Sequence, residues 1–273
     1  MNNIIELLGY EFFQKATIAT ILTGIICGLI GTYIVAKRIV FISGGITHAS
    51  FGGIGIAYFY GFSPLLGATI FSVASALGIQ KFSENKKLKE DSLIGMFWST
   101  GMAIGILYIF MTPGYAPNMM SYLFGSILTV SYTQIYLMSA LAVITITFFA
   151  LFYRPIFYIA FDTEYARTHN LPVKTFNRLL MCLVALAIVL SINVIGIILG
   201  IAYLTIPQAI TALFFNDFKK QLVSSAIICP LASILGLIIS AILDLPSGAS
   251  IIIVFVAIYL LAWAVKTIIK IVK

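Results

Sequence analysis

His48 is the residue in this chain whose chemistry most needs an explanation, because it stands inside a long apolar run directly after Ser43-Gly44-Gly45-Ile46-Thr47. The small residues predict an interruption of the surrounding helix and freed backbone carbonyls, a state tolerated at membrane depth only where the backbone is buried or lines a cavity. If a helix resumes after Arg38, His48 sits roughly 15 Å along it at about 1.5 Å per residue. Neutral imidazole is a common ligand for zinc, manganese and iron ions; it is equally a hydrogen-bonded member of a helix bundle. A second irregular stretch carries Thr205, Pro207, Gln208 and Thr211. Paired short or Gly/Pro-interrupted helices in the two halves of a transporter mark its pathway. Thr47, His48, Pro207 and Gln208 are therefore the candidate pathway residues, with His48 the candidate metal ligand.

A second kind of chemistry lies at 153–178, the richest polar stretch, which includes Asp162-Thr163-Glu164-Tyr165-Ala166-Arg167 and then His169-Asn170-Leu171-Pro172. Asp162 can cap a short helix with Glu164 in its first turn, and Asn170 with Pro172 would end it. Such a helix suits docking into a partner's groove; a solvated loop lying on lipid headgroups fits the same residues. His169 reads as a surface residue. Catalytic patterns are missing: there is no GxxxxGK[ST] phosphate loop, HExxH motif, nucleophile elbow or carboxylate pair, so the chain reads as a non-enzyme, and any ATP must be bound by another subunit. No Asp, Glu, Lys or Arg falls well within a predicted span, which argues against a proton-coupled pump or a voltage sensor. His48, Asn193 and Gln208 are the main polar groups left inside.

The elements that position these residues follow from composition. Of 273 residues, 61% are hydrophobic and 9% charged, with mean hydropathy +1.10; an average soluble domain is about 25% charged. This excludes a disordered chain, a disulfide-rich secreted module and an ordinary cytosolic enzyme. About 20 mostly apolar residues cross a bilayer, and nine segments qualify as transmembrane or re-entrant: 16–36, 39–60, 64–80, 92–112, 131–152, 179–199, 201–215, 222–243 and 247–269. The seventh is short for a full crossing. The expected fold is an all-α integral membrane protein, a polytopic helix bundle forming one domain over 1–273.

The basic residues test this threading. Fifteen of the sixteen Lys and Arg fall in alternate loops or after the last helix, and the other loops carry none. That bias predicts an external N-terminus and a cytoplasmic C-terminus. The basic clusters form no stripe on a polar helix, so the net charge of +7 points to membrane loops and not to nucleic acid. Residues 1–15 carry Glu6 and Glu11 before Lys15 and lack the positive start of a signal peptide; Ile4, Ile5, Leu8 and Phe12 suit an amphipathic helix on the outer surface. Residues 119–130 are apolar but short, and read as re-entrant or interfacial. Gly24/Gly28, Gly101/Gly105 and Gly196/Gly200 are candidate close-approach pairs. Cys27, Cys182 and Cys229 are odd in number, lack CxxC spacing and read as packing residues.

Four stretches together resemble the permease subunit of ABC importers for zinc, manganese and iron. Lys37-Arg38 through Gly44-Gly45-Ile46-Thr47-His48-Ala49 to Ala57 is similar to the family's GDxxSHA segment, and Phe161 to Val173 to its DPEYARxxGLPV coupling segment. Ile201 to Leu213 resembles the LLIxPAATA helix, and Leu243-Asp244-Leu245-Pro246-Ser247-Gly248 the DLPxGP start of the last helix. The resemblance implies a homodimeric importer permease of the bacterial plasma membrane with a pathway between two copies. It implies a P-loop ATPase subunit docked on the short cytoplasmic helix, an extracytoplasmic metal-binding protein, and no cofactor beyond ATP on the partner and the transported metal ion. Within the coupling segment it points to Asp162, Glu164, Tyr165, Arg167, Leu171 and Pro172. Gly45 is read as standing where the family usually has an aspartate, and Thr163 and His169-Asn170 depart from the coupling pattern. A permease for a metal chelate or another small solute, and a stand-alone secondary carrier, are the alternatives.

Overall fold

The computed structural model describes residues 9–84, 89–113 and 127–272, and over these the chain is α-helical with no β-strand. The helices are α1 (Glu11–Ala36), α2 (Phe41–Tyr60), α3 (Pro64–Ser83), α4 (Glu90–Met111), α5 (Tyr132–Leu151), α6 (Tyr153–Phe161), α7 (Thr163–Thr168), α8 (Val173–Ile195), α9 (Ile197–Tyr203), α10 (Ile206–Phe214), α11 (Phe218–Leu243) and α12 (Ser247–Val272). In lipid a helix satisfies its own backbone groups, so apolar runs of this length have no cheaper solution. Seven of the described helices (α1, α3, α4, α5, α8, α11 and α12) are long and apolar enough to cross a membrane. The two other expected crossings differ: α2 is 20 residues long but diluted by Gly, Ser and His48, and 197–214 is divided into α9 and α10.

Two glycine seams set the packing. On α4, a Cβ at Gly101 would stand 2.5 Å from Ala49 Cα, and one at Gly105 2.5 Å from the Phe51 carbonyl oxygen, both backbone atoms of α2. On α1, Cβ atoms at Gly24 and Gly28 would stand 2.7 and 2.6 Å from the Cα atoms of Pro230 and Ala226 on α11. Gly101/Gly105 and Gly24/Gly28 thus mark helix contacts. Gly196/Gly200 does not: nothing lies within 4 Å of a Cβ at Gly200, and Gly196 takes φ +79° to separate α8 from α9. With α5 and α11 packed on it, α1 is the most enclosed of the spanning helices.

The interruption predicted at Ser43-Gly44-Gly45 is absent. Helix α2 runs unbroken through it, and Ser43 Oγ donates to the Val40 carbonyl at 2.7 Å; glycine's helical cost of about 1 kcal/mol is offset by the close approach it permits. At the N-terminus, residues 11–15 form the start of α1, where Glu11 pairs with Lys15 at 2.6 Å and accepts a hydrogen bond from Tyr132 Oη at 2.9 Å. Residues 1–8 of the expected surface helix lie outside the described residues, as do Lys86, Lys87, Lys273 and residues 119–126 of the apolar segment 119–130; Ile127–Thr129 is a 3₁₀ turn. The three cysteines are free, Cys27 and Cys229 being buried.

Candidate functional site

The His48 site is built where α2 crosses α4. The imidazole lies flat on the Trp98 indole, with centroids 4.1 Å apart and planes at 6°, and Phe51 follows at 6.4 Å. Position 98 shares a helical face with Gly101 and Gly105, three and seven residues on, so the seam that draws α4 onto α2 also delivers the indole. His48 Nδ1 is buried and has no hydrogen-bond partner among the described residues. A buried ring nitrogen without a partner is uncommon in folded proteins, and in the tautomer that leaves it unprotonated it can ligate a metal ion. The ring itself is half-buried, Trp98 is 37% exposed, and Thr47 beside it is buried. The histidine therefore stands at the edge of the single chain and not in its middle.

Counted back from His48, the acidic position of the GDxxSHA pattern falls four residues earlier, on Gly44, and not on Gly45. The distinction is physical. At Gly45 an added Cβ would collide with Ile94 Cγ2, whereas at Gly44 it would meet only the Trp98 ring at 3.5 Å and Ile201 Cδ1 at 3.7 Å, ordinary contact distances. Gly44 and His48 are one helical turn apart on the same face, and the Trp98 indole covers both. The sequence reading missed Trp98; the 98/101/105 spacing was the signal available for it.

The other candidate pathway residues serve the break between α9 and α10. Pro207 has no N–H to offer the Tyr203 carbonyl four residues back. Gln208 replaces it: Nε2 donates to the Tyr203 carbonyl at 3.3 Å and to the Cys27 carbonyl on α1 at 2.9 Å. Gln208 is 2% exposed and its Oε1 has no partner among the described residues. Gly31 is needed beneath it, since a Cβ there would strike Nε2. Thr211 bonds Ser225 of α11 at 3.0 Å. His48 and Gln208 share no hydrogen bond; α2 reaches this region through Gly44 against Ile201 of α9.

The segment 153–178 folds as its residues dictate. Asp162 caps α7, its Oδ1 accepting from the N–H groups of Glu164 and Tyr165 at 3.0 and 2.9 Å. Glu164 and Arg167 pair at 2.9 Å. The helix ends at Asn170, φ +55°, a left-handed position that Asn tolerates better than other non-glycine residues and that explains a glycine in the family pattern. Ala166 and Val173 are buried with Ile159, with Leu171 packed beside them, while Asp162, Glu164, Tyr165, Arg167 and Pro172 are exposed. An acidic, aromatic and basic face thus stands free on an anchored helix. Lys37, at the end of α1, donates to Asn177 Oδ1 of α8 at 2.9 Å and to Tyr33 Oη at 3.1 Å. Burial pulls the Lys37 ammonium pKa down, opposed by the Glu90 charge.

Comparison with known proteins adds an independent line. Residues 9–266 match the model of the ABC 3 transport family. The chain is 36% identical over 258 residues to the manganese transport system membrane protein MntC of Halalkalibacterium halodurans, covering 94% of this chain and 88% of that protein. It is 32% identical over 251 residues to the chelated iron transport system membrane protein YfeD of Yersinia pestis, covering 92% and 84%. The solved structure of PsaBC from Streptococcus pneumoniae in complex with Fab superposes with a TM-score of 0.83 at 27% identity, covering 96% of this chain and 95% of that one.

Proposed function

The chain is a multi-pass membrane protein of the ABC 3 transport family, and from that premise we propose that it is the permease subunit of an ATP-driven importer of divalent transition-metal ions. The observation that carries this reading is His48: a buried, unpartnered imidazole nitrogen on a ring that is half-exposed at the edge of one chain. Two copies facing each other would place two such rings along a shared pathway. An imidazole pair without carboxylates gives weak, transient binding, which conduction requires, since a tight site traps its ion. Imidazole suits zinc better than manganese, for which carboxylate oxygen is the better donor; the relatives' names point to manganese and to chelated iron.

Power comes from a partner ATPase that docks on the exposed face of α7, with Asp162 fixing the helix, Glu164, Tyr165 and Arg167 making the contact, and Leu171 and Pro172 holding the segment against α8. An external metal-binding protein delivers the ion. Nine crossings, counting α2 and the α9–α10 pair, put α7 and the C-terminus in the cytoplasm and the N-terminus outside. The test is metal accumulation, read by mass spectrometry in cells carrying the wild-type chain or His48→Ala, with the partner subunits present. Uptake of manganese or zinc falling at least tenfold in His48→Ala at unchanged membrane levels supports the proposal. Equal uptake refutes it, as does transport by this chain alone in proteoliposomes without ATP.

A further inference from the structure

An apolar groove of about 810 Å³ runs between α1, α5 and α11 and shares no lining residue with the His48 site. Its floor and walls include Ile25 and Leu29 of α1, Phe149 of α5 and Ala226 of α11. Its rim residues Leu151, Val223 and Ile227 are exposed, so the groove opens sideways, on the face that a bilayer covers. The volume is within the roughly 300–1,000 Å³ range of sites that hold small organic molecules.

One end of the groove has the opposite character. Arg154 lies three residues beyond the end of the spanning helix α5, and Lys219 is in the first turn of α11; both line the groove and both are exposed. Neither forms an ion pair among the described residues. The nearby acid, Asp217, is engaged in capping α11, accepting from the Lys220 N–H at 2.8 Å. Apolar walls at acyl-chain depth that end in two cations at headgroup depth are the chemical outline of an anionic lipid.

We propose that this groove is a binding site for one anionic phospholipid, its acyl chain along Ile25, Leu29, Phe149 and Ala226 and its phosphate between Arg154 and Lys219. A helix of another chain would fill the walls but leave both cations unmatched. Because Arg154 belongs to the segment that leads into α7, the bound headgroup would border the coupling segment.

The test is native mass spectrometry of the full chain purified in detergent, offered phosphatidylglycerol and phosphatidylcholine of matched acyl chains. One phosphatidylglycerol per chain, retained at collision energies that strip phosphatidylcholine, is the expected result. The double variant Arg154→Gln/Lys219→Gln should lower that retention by about twenty-five-fold, roughly fivefold per cation, without changing phosphatidylcholine retention. Ile227→Trp, placed on the exposed rim so that folding is spared, should lower retention of both lipids. Equal retention of the two lipids by the wild type overturns the proposal, as does unchanged phosphatidylglycerol retention in the double variant. A photo-crosslinker at Ile227 that captures a second copy of this chain in membranes also overturns it.

Discussion

The seam between α2 and α4 permits one chemical change to be made twice on one helix with opposite sign. Gly105→Ala introduces a Cβ 2.5 Å from the Phe51 carbonyl oxygen and 2.8 Å from its carbonyl carbon. Backbone atoms cannot rotate away, so α4 must retreat by about 1 Å, and a gap of that size forfeits up to roughly half of each contact's dispersion energy along the seam. Overpacking of this kind costs about 1–3 kcal/mol, against which alanine's helical preference returns about 0.5–1 kcal/mol. Gly95→Ala, ten residues earlier on α4, meets nothing within 4 Å and keeps only the gain. The two variants should therefore differ by about 1–3 kcal/mol, which for a chain of this size separates their melting temperatures by roughly 2–10 °C. Thermal unfolding of each protein in one detergent, followed by intrinsic fluorescence, measures the separation. Metal uptake should fall in Gly105→Ala alone, since Trp98 rides on the displaced helix. A Gly105→Ala protein that melts at or above Gly95→Ala would refute the close-packing argument.

Three further outcomes follow from the site and the coupling segment. Glu164→Lys removes an ion pair exposed at both ends, worth a few tenths of a kcal/mol, so melting should hold while ATP-driven uptake falls at least tenfold; normal uptake would remove α7 from the docking face. Asn170→Gly should be tolerated within about 0.5 kcal/mol, whereas Asn170→Val, forced to φ +55°, should cost about 1–2 kcal/mol and lower ATP-coupled uptake, a contrast that uptake and melting assays on the pair can check. In Gly44→Asp the added Cβ meets only Trp98 and Ile201 at ordinary contact distances, so the protein should fold, and competition between manganese and zinc should shift toward manganese; an unchanged ratio would mean that the face shared by positions 44 and 48 does not meet the ion.

The helical character and the coupling segment were legible in the sequence because both are local. Apolar runs of spanning length need no partner to be recognised, and Asp162, Glu164, Asn170 and Pro172 write a cap, a first turn and a stop in adjacent residues. What escaped depends on a second helix. Ser43-Gly44-Gly45 reads as a breaker only until α4 is laid against it, when the small residues prove to be the reason the helices can touch. Lys37 reads as a loop cation until Asn177, 140 residues on, receives it. Trp98 has no meaning for His48 before the crossing is known. The break at 204–205 was half legible: Pro207 announced a disruption, but nothing local says that Gln208 would mend it while reaching the Cys27 carbonyl of α1.

That mend has a mechanical consequence. The joint keeps local bonds, Thr205 N–H to the Ala202 carbonyl at 3.2 Å and Thr205 Oγ1 to the Ile201 carbonyl at 2.8 Å, but at Pro207 the regular backbone bond gives way to a side-chain amide that straddles two carbonyls and keeps its oxygen idle. Swinging α10 relative to α9 exchanges the two Gln208 hydrogen bonds and the Thr211–Ser225 bond, each about 0.5–1.5 kcal/mol net. The interrupted span is thus jointed at a point where side-chain bonds, and not the turns of α9 or α10, are what a rearrangement exchanges.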